Sequence, residues 1–242
     1  KVLLKCLKMN IPILAEKPVS INPNELLSIS ENAKNVCVAY NRRFYSTVEF
    51  AKNFIENNSP CFIKLELPDS IDFSIDKSMQ KFFSLRENSV HGFDIINYIL
   101  PNLEIKKVIN YKQPRDAFGK NVLLESSKGD NVMICLNWNS PSNFSINIEA
   151  HPYRLELKPF EAFSLYEGME IIEASDNYPV RQYVPKLIKQ GNVFSGSKEF
   201  KPGFLEQSIE FKRFVEGEKS KKFANIIDAF KAASLADKII KG

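Results

Sequence analysis

From Ile105 to Glu173 the sequence reads as one strand after another, and a chain with that many successive strands must build a broad sheet. The runs Ile105–Tyr111, Val122–Ser126, Val132–Trp138, Phe144–Glu149, Tyr153–Leu157, Phe163–Tyr166 and Met169–Glu173 carry the signal. Several alternate, with Phe144, Ile146 and Ile148 on one side and Ser145, Asn147 and Glu149 on the other. That period of two marks an antiparallel sheet with one covered face and one more polar face. The turn signals Lys128-Gly129-Asp130 and Ser140-Pro141-Ser142-Asn143 separate the strands as hairpins. The strands outnumber what the helices of the carboxyl half can cover, so the open sheet face predicts a homo-oligomer.

The amino-terminal part has a different texture. Ile13-Leu14-Ala15-Glu16-Lys17 is an apolar run closed by Pro12 and Pro18, which reads as a short buried strand. Asn22-Pro23 opens a helix, Val36–Tyr40 is the next strand, and a helix capped by Ser46 runs to about Glu56. Strand, helix, strand, helix in this order predicts parallel pairing with right-handed crossovers. A strand over Cys61–Leu67, a polar loop over Asp69–Asp76 and a helix over Ser89–Leu100 follow. Two helices, about Gly203–Glu216 and Ile226–Ile240, close the chain. The fold class is thus α/β, a partial Rossmann-like parallel sheet, followed by an α+β domain with a large open, mostly antiparallel sheet. Residues 1–58 form the first unit and 59–242 the second, with the final helices free to pack back on the first. Lys1–Lys8 resembles the end of an amphipathic helix with no cap before it, so the chain reads as a fragment of a longer protein.

Composition removes several classes of function. The 33 basic and 29 acidic residues leave a formal charge of only +4, with the lysines scattered, which gives nucleic-acid binding little support. No apolar run approaches the roughly 20 residues that span a bilayer, and Lys1–Asn10 has neither the apolar core nor the cleavage site of a signal peptide. Cys6, Cys37, Cys61 and Cys135 are far apart and form no C-x-x-C pair, which fits reduced thiols in a cytoplasmic protein. With His91 and His151 the only histidines, no metal site is expected.

Two places could carry chemistry. Lys17 falls at the carboxyl end of its strand, where ligands collect in open α/β sheets, and from there it could hydrogen-bond a substrate hydroxyl or carbonyl. A solvated lysine at a strand end fits the local pattern as well. Glu87, His91, Asp94 and Tyr98 stand four, three and four residues apart, one stripe of a helix whose other side carries Phe93, Ile96 and Leu100. Such a stripe suits an acid/base assembly in which a carboxylate orients the imidazole and raises its pKa. A solvated helix face reads equally well, and three ligands to a metal much less so.

Taken together, the Glu16-Lys17-Pro18 strand end, Tyr40-Asn41-Arg42-Arg43-Phe44, the His91-x-x-Asp94 helix and the closing Lys201-Pro202-Gly203-Phe204-Leu205-Glu206-Gln207 resemble the glucose–fructose oxidoreductase/inositol dehydrogenase family (Gfo/Idh/MocA) along essentially the whole chain. The resemblance implies hydride transfer between NAD or NADP and a sugar, polyol or nucleotide-linked sugar. It implies Lys17, His91 and Glu87 as catalytic residues, and Glu16, Lys17 and Pro18 beside the nicotinamide. It also implies Lys17, Arg43, Asp94 and His91 at the substrate. Glu87 stands where the family has an aspartate and Ser89 where it has a glycine. No G-x-G-x-x-G occurs, so most cofactor-binding residues are expected outside this chain, which alone should be inactive. A binding or regulatory protein that keeps the fold without the chemistry is the alternative.

Overall fold

The computed structural model describes residues 2–70, 88–112, 118–195, 199–218, 220 and 222–242. The chain begins with a short helix α1 (Val2–Leu7), then β1 (Ile13–Ala15), α2 (Pro23–Ile29) and β2 (Val36–Val38). Asn22 caps α2 by accepting the Asn24 N–H at 3.0 Å, with Pro23 in the first turn, where its missing N–H costs nothing. The α2 crossover returns the chain so that β1 and β2 pair in parallel, Ile13 beside Val36 and Ala15 beside Val38. Both strands are three residues long, so Glu16 and Lys17 lie just beyond the ladder. A single 3₁₀ turn over Asn41–Phe44 leads into α3 (Ser46–Asn58). Ser46, expected as the cap, is the first helical residue instead. Tyr45 takes the extended cap conformation and makes no side-chain cap bond.

β3 (Phe62–Glu66) then enters an eight-stranded sheet completed by β4 (Leu103–Lys112), β5 (Phe118–Ser126), β6 (Asn131–Asn137), β7 (Ser145–Ala150), β8 (Tyr153–Leu157), β9 (Ala162–Ile172) and β10 (Gln182–Asn192). The strand order is β10-β9-β8-β7-β3-β6-β5-β4, antiparallel except for β3 beside β6. The expected mostly antiparallel sheet is present, with three differences. Ser140–Asn143 does not close a hairpin: β6 and β7 flank β3, so that loop crosses over it. Phe163–Tyr166 and Met169–Glu173 belong to one strand, β9, in which Gly168 (φ +62°) takes the kink a side chain would resist. β10 carries no clear strand signal in the sequence, because Pro185 and broken alternation mask it. An edge strand tolerates both.

The alternation along β3 buries Ile63 and Leu65 under a helical layer made by α3, α4 (Ser89–Ile99) and α6 (Ile226–Lys241). α4 is buried on nearly every side rather than showing a polar stripe to solvent, because α3 and α6 both pack against it. α6 opens with a reciprocal capping box between Asn225 and Asp228. It ends on the buried Lys120 of β5, whose Nζ donates to the Ile239 and Ile240 carbonyls at 2.5 and 3.1 Å. The segment before α6 also reaches the small sheet, where the Val38 N–H donates to the Ala224 carbonyl at 2.8 Å. α6 packs on α2 as well, so one continuous core runs from Val36 and Val38 through α3 and α4 to the large sheet. Of the remaining helix, α5 (Phe204–Val215), the first turn lies against the Asn41–Phe44 turn. Gly203 (φ +79°) makes that approach possible, since a Cβ there would run into the Asn41 carbonyl.

Among the described residues no helix is long and apolar enough to cross a membrane.

Candidate active site

Tyr40, buried directly after β2, sets its ring edge-on to the His91 imidazole, with centroids 6.0 Å apart and planes at 79°. That contact brings the first turn of α4 to the carboxyl ends of the two parallel strands. The helix is held there by a carboxylate from the loop after β3. Asp69 Oδ2 accepts the Ser89 N–H and the Ser89 hydroxyl at 3.0 and 2.8 Å, and Oδ1 accepts from Asn88 Nδ2 at 3.2 Å. An acidic side chain on the first N–H groups of a helix satisfies donors that have no helical partner and suits the helix dipole. Ser89 is therefore part of the cap.

His91 is 7% exposed, and its Nδ1 has no hydrogen-bond partner among the described residues. Burial holds its pKa well below the ordinary value near 6.5, and the charges of Arg42 and Lys17 push it the same way. The imidazole is neutral at pH 7, able to accept or donate one hydrogen bond at Nδ1 depending on tautomer. The direction is opposite to that expected from a neighbouring carboxylate, and Asp94 supplies the reason. One turn further along α4 and 1% exposed, it gives both oxygens to Arg43: Oδ2 to Nε at 2.8 Å and Oδ1 to Nη2 at 2.6 Å. Burial pushes the Asp94 carboxyl up, while the two-pronged guanidinium bond opposes that. Arg43 also reaches Asp228 of α6 at 3.4 Å and lies 4.8 Å from the centre of the Tyr98 ring. Arg43 and Asp94 are thus joined to each other inside the protein, where a small-molecule substrate has no access to them.

The neighbouring arginine is disposed differently. Arg42 lies over the rings of Phe144 and Phe160, 5.1 and 5.6 Å from their centres. Its buried Nη1 has no partner, and no carboxylate among the described residues forms a salt bridge with it. Gln207 of α5 also keeps a buried, unpartnered Oε1, on the helix that packs against the Arg42 turn. Glu16 is exposed beyond β1, and Lys17 and Pro18 are half-buried. Glu87 lies outside the described residues. Of the expected site residues, Lys17 lies near enough for its charge to act on His91, while Arg43 and Asp94 form a pair of their own.

Asp69, Arg42 and Gln207 escaped the sequence reading. Asp69 opens what looks like an ordinary polar loop, and nothing local distinguishes Arg42 from Arg43. Gln207 falls inside the closing motif, so a signal existed there without a role attached. Among the described residues no group of three or more His, Cys, Asp or Glu could hold a metal ion. What remains is a neutral imidazole flanked by cations, which can bind a developing alkoxide and exchange its proton.

No family model matches the chain, and no curated protein matches it by sequence. Solved structures do. A dehydrogenase from Chromobacterium violaceum superposes with a TM-score of 0.73 at 15% identity, over 99% of this chain and 71% of that one. An inositol dehydrogenase homologue from Azotobacter vinelandii, complexed with NADH and myo-inositol, gives 0.64 at 15% identity, over 98% and 70%. UDP-N-acetylglucosamine 3-dehydrogenase from Acidithiobacillus ferrooxidans gives 0.68 at 9% identity, over 98% and 72%. At these identities the likeness establishes architecture: the chain has the fold of these dehydrogenases, the fold that its resemblance to the glucose–fructose oxidoreductase/inositol dehydrogenase family implies.

Proposed function

We propose that the chain is the substrate-side part of an oxidoreductase that exchanges a hydride between NAD or NADP and a sugar, polyol or nucleotide-linked sugar. The observation that carries this reading is the buried His91 at the carboxyl end of the parallel strands, its Nδ1 without a partner among the described residues and the charges of Arg42 and Lys17 close enough to act on it. A bound nicotinamide supplies or accepts the hydride. The chain's own residues then have the oxygen and the proton to manage. Lys17 hydrogen-bonds the reacting oxygen and stabilises negative charge on it, and His91 takes or returns the hydroxyl proton. Glu16 and Pro18 shape the turn beside the nicotinamide, and Glu87 orients the imidazole. Arg43 and Asp94 act as positioning residues that fix α4 against the Arg42 turn.

Pyrophosphate affinity in such folds comes from a glycine loop at a helix N-terminus, and the sequence contains no such loop. We assign the cofactor-holding residues to a part of the protein outside these 242, and the open face of the broad sheet to a homo-oligomer contact. Intact protein incubated with a panel of sugars and polyols, and followed by NADH or NADPH absorbance, tests the activity. Turnover of one of them, lost in Lys17→Ala, supports the reading, and turnover unchanged in Lys17→Ala removes it. For the 242-residue chain alone, titration with NADH or NADPH should show no micromolar binding.

A further inference from the structure

Two helices, α4 and α5, pack against the Asn41–Phe44 turn. The turn and each of the two helices keep one buried side-chain polar atom without a hydrogen-bond partner among the described residues: Nη1 of Arg42, Nδ1 of His91 and Oε1 of Gln207. A buried polar atom left unpaired is costly, and several around one turn are expected where a ligand completes the bonding. Arg42 is steadied by the rings of Phe144 and Phe160, which attract a cation but accept no strong hydrogen bond.

The charge felt here has one sign. Arg42 and Lys17 both act on the His91 imidazole. The carboxylates on the neighbouring elements have other duties. Asp94 and Asp228 serve Arg43, Asp69 holds Ser89 and Asn88, and Glu161 acts together with Arg42 on the Tyr45 hydroxyl. Among the described residues none forms a salt bridge with Arg42. A neutral sugar hydroxyl would answer one of its N–H groups and leave the buried charge unbalanced, whereas an anion answers both needs.

We propose that the substrate is an acidic sugar, whose carboxylate or phosphate is bound by Arg42 beside His91 while Gln207 accepts from a hydroxyl of the same molecule. The proposal rests on the oxidoreductase reading for the reaction and adds to it the class of sugar. The Arg42 charge reaches His91, so an anion on Arg42 is a near neighbour of the oxygen that His91 serves. That places it on the sugar itself rather than on the diphosphate of a nucleotide. Binding has a consequence for the chemistry. An anion on Arg42 offsets the positive charge that holds the imidazole pKa down, so His91 becomes a better proton acceptor when the right substrate is present.

Calorimetry on the intact protein, with and without NADH or NADPH, tests the inference. The probes are glucuronate, gluconate and glucose 6-phosphate, each against glucose and sorbitol, and the carboxylate and phosphate arms tell which anion is read. At least one acid should bind about ten-fold or more tighter than its neutral counterparts, the size of a charged hydrogen bond, and the advantage should shrink as salt is raised. Arg42→Met keeps the apolar stem on the two rings and should abolish the preference. Arg42→Lys keeps the charge without the planar fork and should retain part of it. The readout needs no turnover, so it is separate from the oxidoreductase reading. Turnover of neutral sugars with no preference for acids would overturn this inference and leave that reading standing. Equal binding of acids and neutral sugars overturns it too, as does failure of all three acids to bind. An acid preference that survives in both Arg42 variants overturns it as well.

Discussion

Arg42 and Arg43 are adjacent in sequence and belong to the same 3₁₀ turn, yet they live in opposite electrostatic worlds. Arg43 is enclosed with Asp94 and backed by Asp228, its charge matched by these two carboxylates. Arg42 lies on two phenylalanine rings with a buried nitrogen that no described residue answers, beside a histidine whose Nδ1 is likewise unanswered among them. A saturated buried cluster is a joint, and an unsaturated one is an invitation to something not yet bound. The distinction separates the residues that build this site from those that use it.

The sharpest way to break the comparison is at the user side. In the intact protein, His91→Ala and Lys17→Ala should each lower turnover by about 10²–10⁴ while the thermal midpoint moves little, as expected for loss of a positioned acid/base group. Glu87→Gln should cost less than His91→Ala if it only orients the ring, and steady-state kinetics on the three variants would rank them. At the joint the effect should appear in stability instead. Asp94→Ala leaves a guanidinium buried without its partner, and should destabilise the fold by about 3–5 kcal/mol in urea unfolding. Replacing both partners with apolar residues, Arg43→Met with Asp94→Leu, should recover most of that loss. If the double variant is as unstable as the single one, the pair does more than balance its own charge.

The pH dependence sharpens the same contrast. His91 is held neutral in the folded state, its pKa well below 6.5, while in the unfolded chain it takes a proton near 6.5. The unfolded state therefore binds more protons below that pH. The His91 contribution is fully present above about pH 6.5 and is lost as the pH falls toward the folded value, at up to about 1.4 kcal/mol per pH unit. Denaturation series run between neutral and mildly acidic pH should show this slope flatten in His91→Gln. The smallest effect belongs to the helix cap. Asp69→Ala should cost about 1–2 kcal/mol through loss of the bonds to Ser89, and should lower turnover with little change in the substrate KM if its role is to place His91. Unchanged kinetics would reduce Asp69 to a stability residue.

Several of these features were legible before the structure. Period-two alternation in Phe144–Glu149 and the Asn22-Pro23 start of α2 report local backbone preferences, and local preferences survive folding. The β10 strand was hidden because an edge needs neither alternation nor a donor at every residue. The placement of β6 and β7 on either side of β3 was hidden because strand spacing says nothing about which strands become neighbours. The stripe of His91, Asp94 and Tyr98 followed correctly from helical geometry, but not its surroundings.

The sequence by itself determined most of the elements, the order α/β then broad sheet, and the two residues, Lys17 and His91, on which the proposed chemistry rests. Tertiary structure alone decided that Asp94 faces Arg43 and not His91, that among the described residues Arg42 and not Arg43 is left without a carboxylate, and that Asp69 holds the helix between them. The physical reason is that the charge state and pairing of a buried group are set by whatever surrounds it in three dimensions. For this site the surroundings come from β1, the Asn41–Phe44 turn, α4, α5 and α6, segments separated in the chain by up to some 200 residues.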